Sequence, residues 1–179
     1  MLKKYIKKYG GAIPFAFFVL CGLCLTIIEM CTSYTLRIIP RNILICFGIV
    51  SFGVFLVWIN KIIHRKKPKV FSVLSKVISI IAFVVLVWSS TFFMIFSYTP
   101  EHVVMRNEIK MVAKVRSFLE VYVDYYQYKN VLFMGKELGY EYYGNGGYDP
   151  FVDGNNRKPF RWEIYDLDGN IIDEGYRER

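Results

Sequence analysis

The sequence predicts a membrane protein in which three transmembrane α-helices precede a small, mainly antiparallel β domain. Three observations carry that reading. Uncharged apolar runs long enough to cross hydrocarbon occur three times before residue 99 and not after it. Beyond that point hydrophobicity alternates with period two. Charge divides at the same place: the first 98 of 179 residues hold 12 Lys/Arg and one acid, Glu29, whereas the last 81 hold 11 Lys/Arg and 14 Asp/Glu. The apolar half is therefore +11 and the other half −3, within a net charge of +8. A chain so divided is neither a single soluble domain nor a disordered, collagen-like or disulfide-stapled one. Basic charges that flank apolar runs give no reason to expect a nucleic-acid partner. The predicted division is a membrane domain over 1–98 and a β domain over 99–179.

The first span, about 11–36, follows Lys3, Lys4, Lys7 and Lys8 and contains only Glu29 as a charge. A cleaved signal peptide is excluded by its length and by the lack of a small-residue cleavage site. The second span, about 42–60, lies between Arg41 and Lys61, and the third, about 76–98, begins at Lys76. Tyr9, Tyr34, Trp58 and Tyr98 fall near the ends, where amphipathic rings settle. Short-loop Lys/Arg counts orient the set: four before the first span and five in Lys61–Lys69, against Arg37 and Arg41 in the loop around Pro40. That bias predicts a multi-pass protein of the cell membrane with a cytoplasmic N-terminus and an extracytoplasmic β domain. Arg65, Lys66, Lys67 and Lys69 could also hold anionic lipid headgroups, with membrane lipid as partner.

Glu29 is the one intramembrane carboxyl and so a functional candidate, but an interfacial position or pairing with Arg37 or Arg41 is the simpler account. Cys21 and Cys24 form C-x-x-C, with Cys31 seven residues on, inside an apolar helix where packing is the expected role. No GxxxG marks a packing face in this half.

In the second half, every odd position from Ile109 to Tyr125 except Ser117 is apolar, which predicts strands with a break near Ser117–Glu120. Reversals are expected at Arg106–Glu108, at Gly135-Lys136 and at Asp168-Gly169, the last as a two-residue hairpin turn. Residues 144–159 read as a long loop. The expectation is five to seven antiparallel strands in a meander or partly closed barrel.

Tyr143, Asn145, Tyr148, Asp149 and Phe151, around Gly144, Gly146 and Gly147, are the leading binding candidates, because they combine aromatic rings, a carboxylate and backbone freedom. The rival reading is a connection whose aromatics cap the core. Asp166-x-Asp168-Gly169-Asn170 departs from a calcium loop, with Ile164 and Gly175 where ligands belong. His64 and His102 are the only histidines and fall in different halves. No phosphate loop, nucleophile elbow or zinc spacing is present, so no metal, cofactor or catalysis is expected. Ten tyrosines in the β domain suit a contact surface. The expected function is a non-enzymatic membrane protein whose exported domain binds a protein or cell-envelope partner in an accessory or immunity-type role. The alternative is an oligomeric transporter or channel component using Glu29.

Overall fold

The computed structural model describes residues 9–66, 68–152 and 158–178, without the Lys66 side chain. The chain forms two compact units, Met1–Met30 with Arg41–Ser97, and Cys31–Pro40 with Tyr98–Arg179.

The first unit is helical, holding α1 (Ile13–Cys31), α2 (Ile38–Lys66) and α3 (Lys69–Phe96) apart from Cys31 and Ile38–Pro40, which group with the second. Each is long and apolar enough to cross a membrane. Helix α1 stops short of the expected residue 36, because Thr35 and Leu36 leave it to become strand β1 (Thr35–Leu36). Helix α2 starts four residues early and places Pro40 in its first turn, where a missing N–H sacrifices no helical bond. It also runs past Lys61 to Lys66 before Pro68 caps α3. The expected bounds tracked the uncharged run, and the helix continues into charged residues whose long stems tolerate it.

Two glycines of α2 set the packing. A Cβ on Gly48 would lie 2.5 Å from the Phe18 ring of α1, and one on Gly53 would lie 3.0 Å from the Phe83 ring of α3. Five residues correspond to about 140° around a helix, so each glycine receives a different neighbour. Polar links join α2 to α3: the Asn60 amide donates to Ser79 Oγ (2.8 Å) and accepts from Ser75 Oγ (2.6 Å), and His64 Nδ1 lies 2.8 Å from Ser72 Oγ. Ser72, Ser75 and Ser79 lie at helical spacing, which places them on one face of α3.

The second unit is one antiparallel sheet of seven strands. Strands β2 (Glu101–Arg106), β3 (Ile109–Arg116), β4 (Glu120–Tyr128), β5 (Phe133–Asn145), β6 (Arg161–Tyr165) and β7 (Ile171–Tyr176) form a meander in chain order. Strand β1 joins β5 through Thr35↔Met134 and Leu36↔Phe133. The expected break falls between Arg116 and Glu120. Because Val115 pairs with Val123, odd positions of β3 and β4 share one face, and Met111, Ala113, Val115, Val121, Val123 and Tyr125 form the core with Leu138, Tyr143 and Ile164.

Two expected turns differ. Gly135-Lys136 lies inside β5; the chain reverses instead before Phe133, where Asn130 Oδ1 accepts the N–H groups of Leu132 and Phe133. At Gly135 the absent Cβ makes room for Gln127 and Lys129. The β6–β7 turn takes five residues, 166–170, because Asp166 Oδ1 accepts from the N–H groups of Asp168 and Asn170. The Arg106–Glu108 reversal stands as expected, with Asn107 and Glu108 both at positive φ (44° and 65°).

Candidate functional site

Alternation that buries one face of β4 and β5 raises the other. Tyr122, Asp124 and Tyr126 pair with Tyr142, Tyr140 and Glu137 on that opposite face. Arg116 of β3, Arg161 of β6 and Tyr176 of β7 extend it, and with Glu120, Phe160 and Arg177 they line an open groove of about 730 Å³. Tyr122 and Tyr142 stand 4.8 Å apart by ring centroids, and Phe160 follows Tyr142 at 6.5 Å. A guanidinium lies by each row: Arg116 5.5 Å from Tyr122, Arg161 5.9 Å from Tyr140 and Arg177 5.2 Å from Phe160. The rings thus present broad apolar area beside fixed positive charge.

The groove carboxylates are mostly engaged. Arg116 grips Asp124 with two nitrogens at 2.7 and 2.8 Å, and Tyr142 Oη donates to Glu120 at 3.1 Å. Burial, and then the negative charge of Asp124, hold Glu137 above the ordinary carboxylate value. The surface offers stacking planes, hydrogen-bonding oxygens and cations without a freely available pair of carboxyls.

The other face holds a buried acid. Glu141 is 1% exposed; its Oε2 accepts from Tyr125 Oη (2.6 Å) and Tyr143 Oη (2.7 Å), while Arg106 pairs with its Oε1. Burial, and then the adjoining Glu141 charge, push both tyrosine hydroxyls well above their ordinary value.

The candidate loop residues serve this core face. Tyr143 is buried, Asn145 ends β5 exposed, and Tyr148 packs on the core with its Oη donating to the Tyr143 carbonyl (3.3 Å). Asp149 Oδ2 meets His102 Nε2 at 2.8 Å, and Phe151 lies 4.9 Å from the His102 ring. Gly146 and Gly147 donate backbone hydrogen bonds to Leu119 and Ser117. Among the described loop residues, Tyr143 and Tyr148 turn to the core, while Phe151 is 36% exposed.

Glu29 is exposed on α1, two residues before its end, and does not pair with the arginines expected to neutralise it. Arg37 Nε donates to Glu101 Oε2 (3.1 Å), and Arg41 Nη2 donates to the Ser97 carbonyl (3.3 Å). Glu101 Oε1 also accepts the Ile38 N–H (2.9 Å), capping the start of α2. Arg65 and Lys69 are exposed, Lys67 lies outside the described residues, and so does the side chain of Lys66. Among the described residues no group of three or more His, Cys, Asp or Glu could hold a metal.

Sequence reasoning fixed on the loop and missed the groove. Its signal was present in the even positions Tyr122, Asp124 and Tyr126, set against the apolar odd ones. Cross-strand register, which assembles those residues with Tyr140, Tyr142 and Arg161, is not a local property of the chain. No protein-family model, curated protein or solved structure matches this chain.

Proposed function

We propose that this is a non-enzymatic, multi-pass protein of the cell membrane whose β domain lies outside the cytoplasm and docks on a protein or cell-envelope partner, in an accessory or immunity-type role. The groove of Tyr122, Tyr140, Tyr142 and Phe160 with Arg116, Arg161 and Arg177 carries the reading. Tyrosine and arginine dominate the energetics of protein contact surfaces, because they supply rigid area and directed donors at small entropy cost. Strand β1 supports the three-span arrangement: it ties the α1–α2 connection into the sheet that follows α3, so both connections belong on one side of a bilayer. On that side Arg37 and Arg41 already have structural partners, whereas the opposite flanks hold the larger basic counts that favour the cytoplasm.

The test is a photocrosslinking amino acid at Tyr142 in native membranes, with one at the exposed turn residue Glu108 as control. A discrete adduct from position 142 and none from 108 is the expected result. Equal labelling from both positions, or no adduct from 142, overturns the docking role.

A further inference from the structure

Between α2 and α3 runs a cavity of about 690 Å³, walled by Gly53, Leu56, Val57, Ile80, Phe83 and Val84. Lys61, His64 and Lys76 line the same cavity, together with Asn60 and Ser79. Most of its lining surface is apolar, and its cations come from facing stretches of the two helices, Lys61 of α2 and Lys76 of α3. The amides and hydroxyls there are already spent on Asn60–Ser75, Asn60–Ser79 and His64–Ser72 links. The two ammonium groups are not similarly satisfied: neither Lys61 nor Lys76 has an ion-pair partner among the described residues.

The sequence sharpens this, because Glu29 is the only acid before residue 99, including the residues not described. Glu29 sits 16 residues beyond the start of α1, about 24 Å along the axis. Gly11, just before α1, meets Trp58, three residues from Lys61, so Glu29 and Lys61 lie towards opposite ends of the helical unit. No carboxylate of this unit can serve the lysines, and an apolar cleft with a cationic rim suits an anion that also has an apolar body.

We infer that this cleft binds an anionic phospholipid, its acyl chain along Leu56, Val57, Ile80 and Val84 and its phosphate between Lys61 and Lys76. Basic pockets between transmembrane helices on the cytoplasmic side take anionic headgroups in this way. The inference rests on the helices spanning a bilayer and is independent of what the β domain binds.

The full chain in mild detergent is examined by native mass spectrometry with phosphatidylglycerol and phosphatidylcholine of identical acyl composition. A preference for phosphatidylglycerol of about five-fold per lysine is expected. K61Q/K76Q abolishes the preference with helical circular dichroism unchanged. Val84→Trp, which fills the cleft and leaves both lysines, lowers phosphatidylglycerol binding and decides the matter if the double variant does not fold. Equal binding of the two lipids, a preference that survives K61Q/K76Q, or undiminished binding by V84W overturns the site. Carbonate washing separates the two levels: release of the chain from membranes overturns the spanning itself, whereas retention without lipid preference overturns only the cleft.

Discussion

At Glu141 a carboxylate lies 1% exposed between two tyrosine hydroxyls and a guanidinium, on a strand whose other inward residues are apolar. Replacing it with alanine leaves Arg106, Tyr125 and Tyr143 without their acceptor, a loss of about 3 kcal/mol or more. In a thermal melt of the full chain in detergent, the sheet transition of Glu141→Ala falls by about 12 °C or more. The raised values of Tyr125 and Tyr143 fix a pH dependence. Both groups are held as neutral phenols, so their contribution is complete below the ordinary tyrosine value of 10.0 and is lost as pH rises past it. An absorbance titration at 295 nm will find these two tyrosines silent until the sheet unfolds at alkaline pH. The acid's burial was illegible in the sequence, because Glu141 holds an inward position that the alternation assigns to apolar residues. Only the approach of Tyr125 and Arg106 from other strands makes that position tolerable.

Among the elements, the strands with strict alternation were the legible ones. The odd positions from Met111 to Tyr125 predicted most of the core cluster, apart from Ser117 and from Leu119, which the β3–β4 turn exposes to 78%, while even-numbered Val112 is also buried. Turns were less legible, since Gly135 looks like punctuation yet is a packing vacancy inside β5. The β6–β7 turn is held by Asp166, whose carboxyl is kept below its ordinary value first by the Asn170 side-chain amide and then by the Asn170 backbone N–H. That support is present above the ordinary aspartate range and fades as pH falls through the depressed value. Asp166→Ala will speed amide exchange at Asp168 and Asn170 while β3 and β4 remain protected. In the helical unit, Gly48→Val drives a side chain into the Phe18 ring and separates α1 from α2. Disulfide trapping between cysteines placed on the two helices will fall accordingly, with helical content retained.

For the molecule as a whole, three long apolar runs and the charge division carried the architecture, because the demands of hydrocarbon on backbone hydrogen bonds leave few alternatives. What the sequence concealed is that the unit boundary is not a single cut, since residues 31–40 belong with the sheet. The proposed sidedness has a direct measurement. With the four native cysteines replaced, Leu119→Cys, at the exposed β3–β4 turn, is expected to react with an impermeant maleimide on intact cells. Labelling only after the membrane is opened would place the sheet in the cytoplasm.

Strand β1 has a practical corollary for how the β domain can be prepared. A fragment cut at the apparent border, residues 98–179, discards Thr35, Leu36 and Arg37, uncovering backbone of β5 at Phe133–Met134 and stripping Glu101, whose side chain is 4% exposed, of its guanidinium. Such a piece would present an open strand edge to its own copies and invite aggregation. Supplying residues 31–40 as a free peptide, or splicing them ahead of residue 98 through a flexible linker, should restore a monodisperse, cooperatively melting domain. The smallest faithful excerpt of this protein is therefore discontinuous, assembled from two stretches of chain that the gene keeps 57 residues apart.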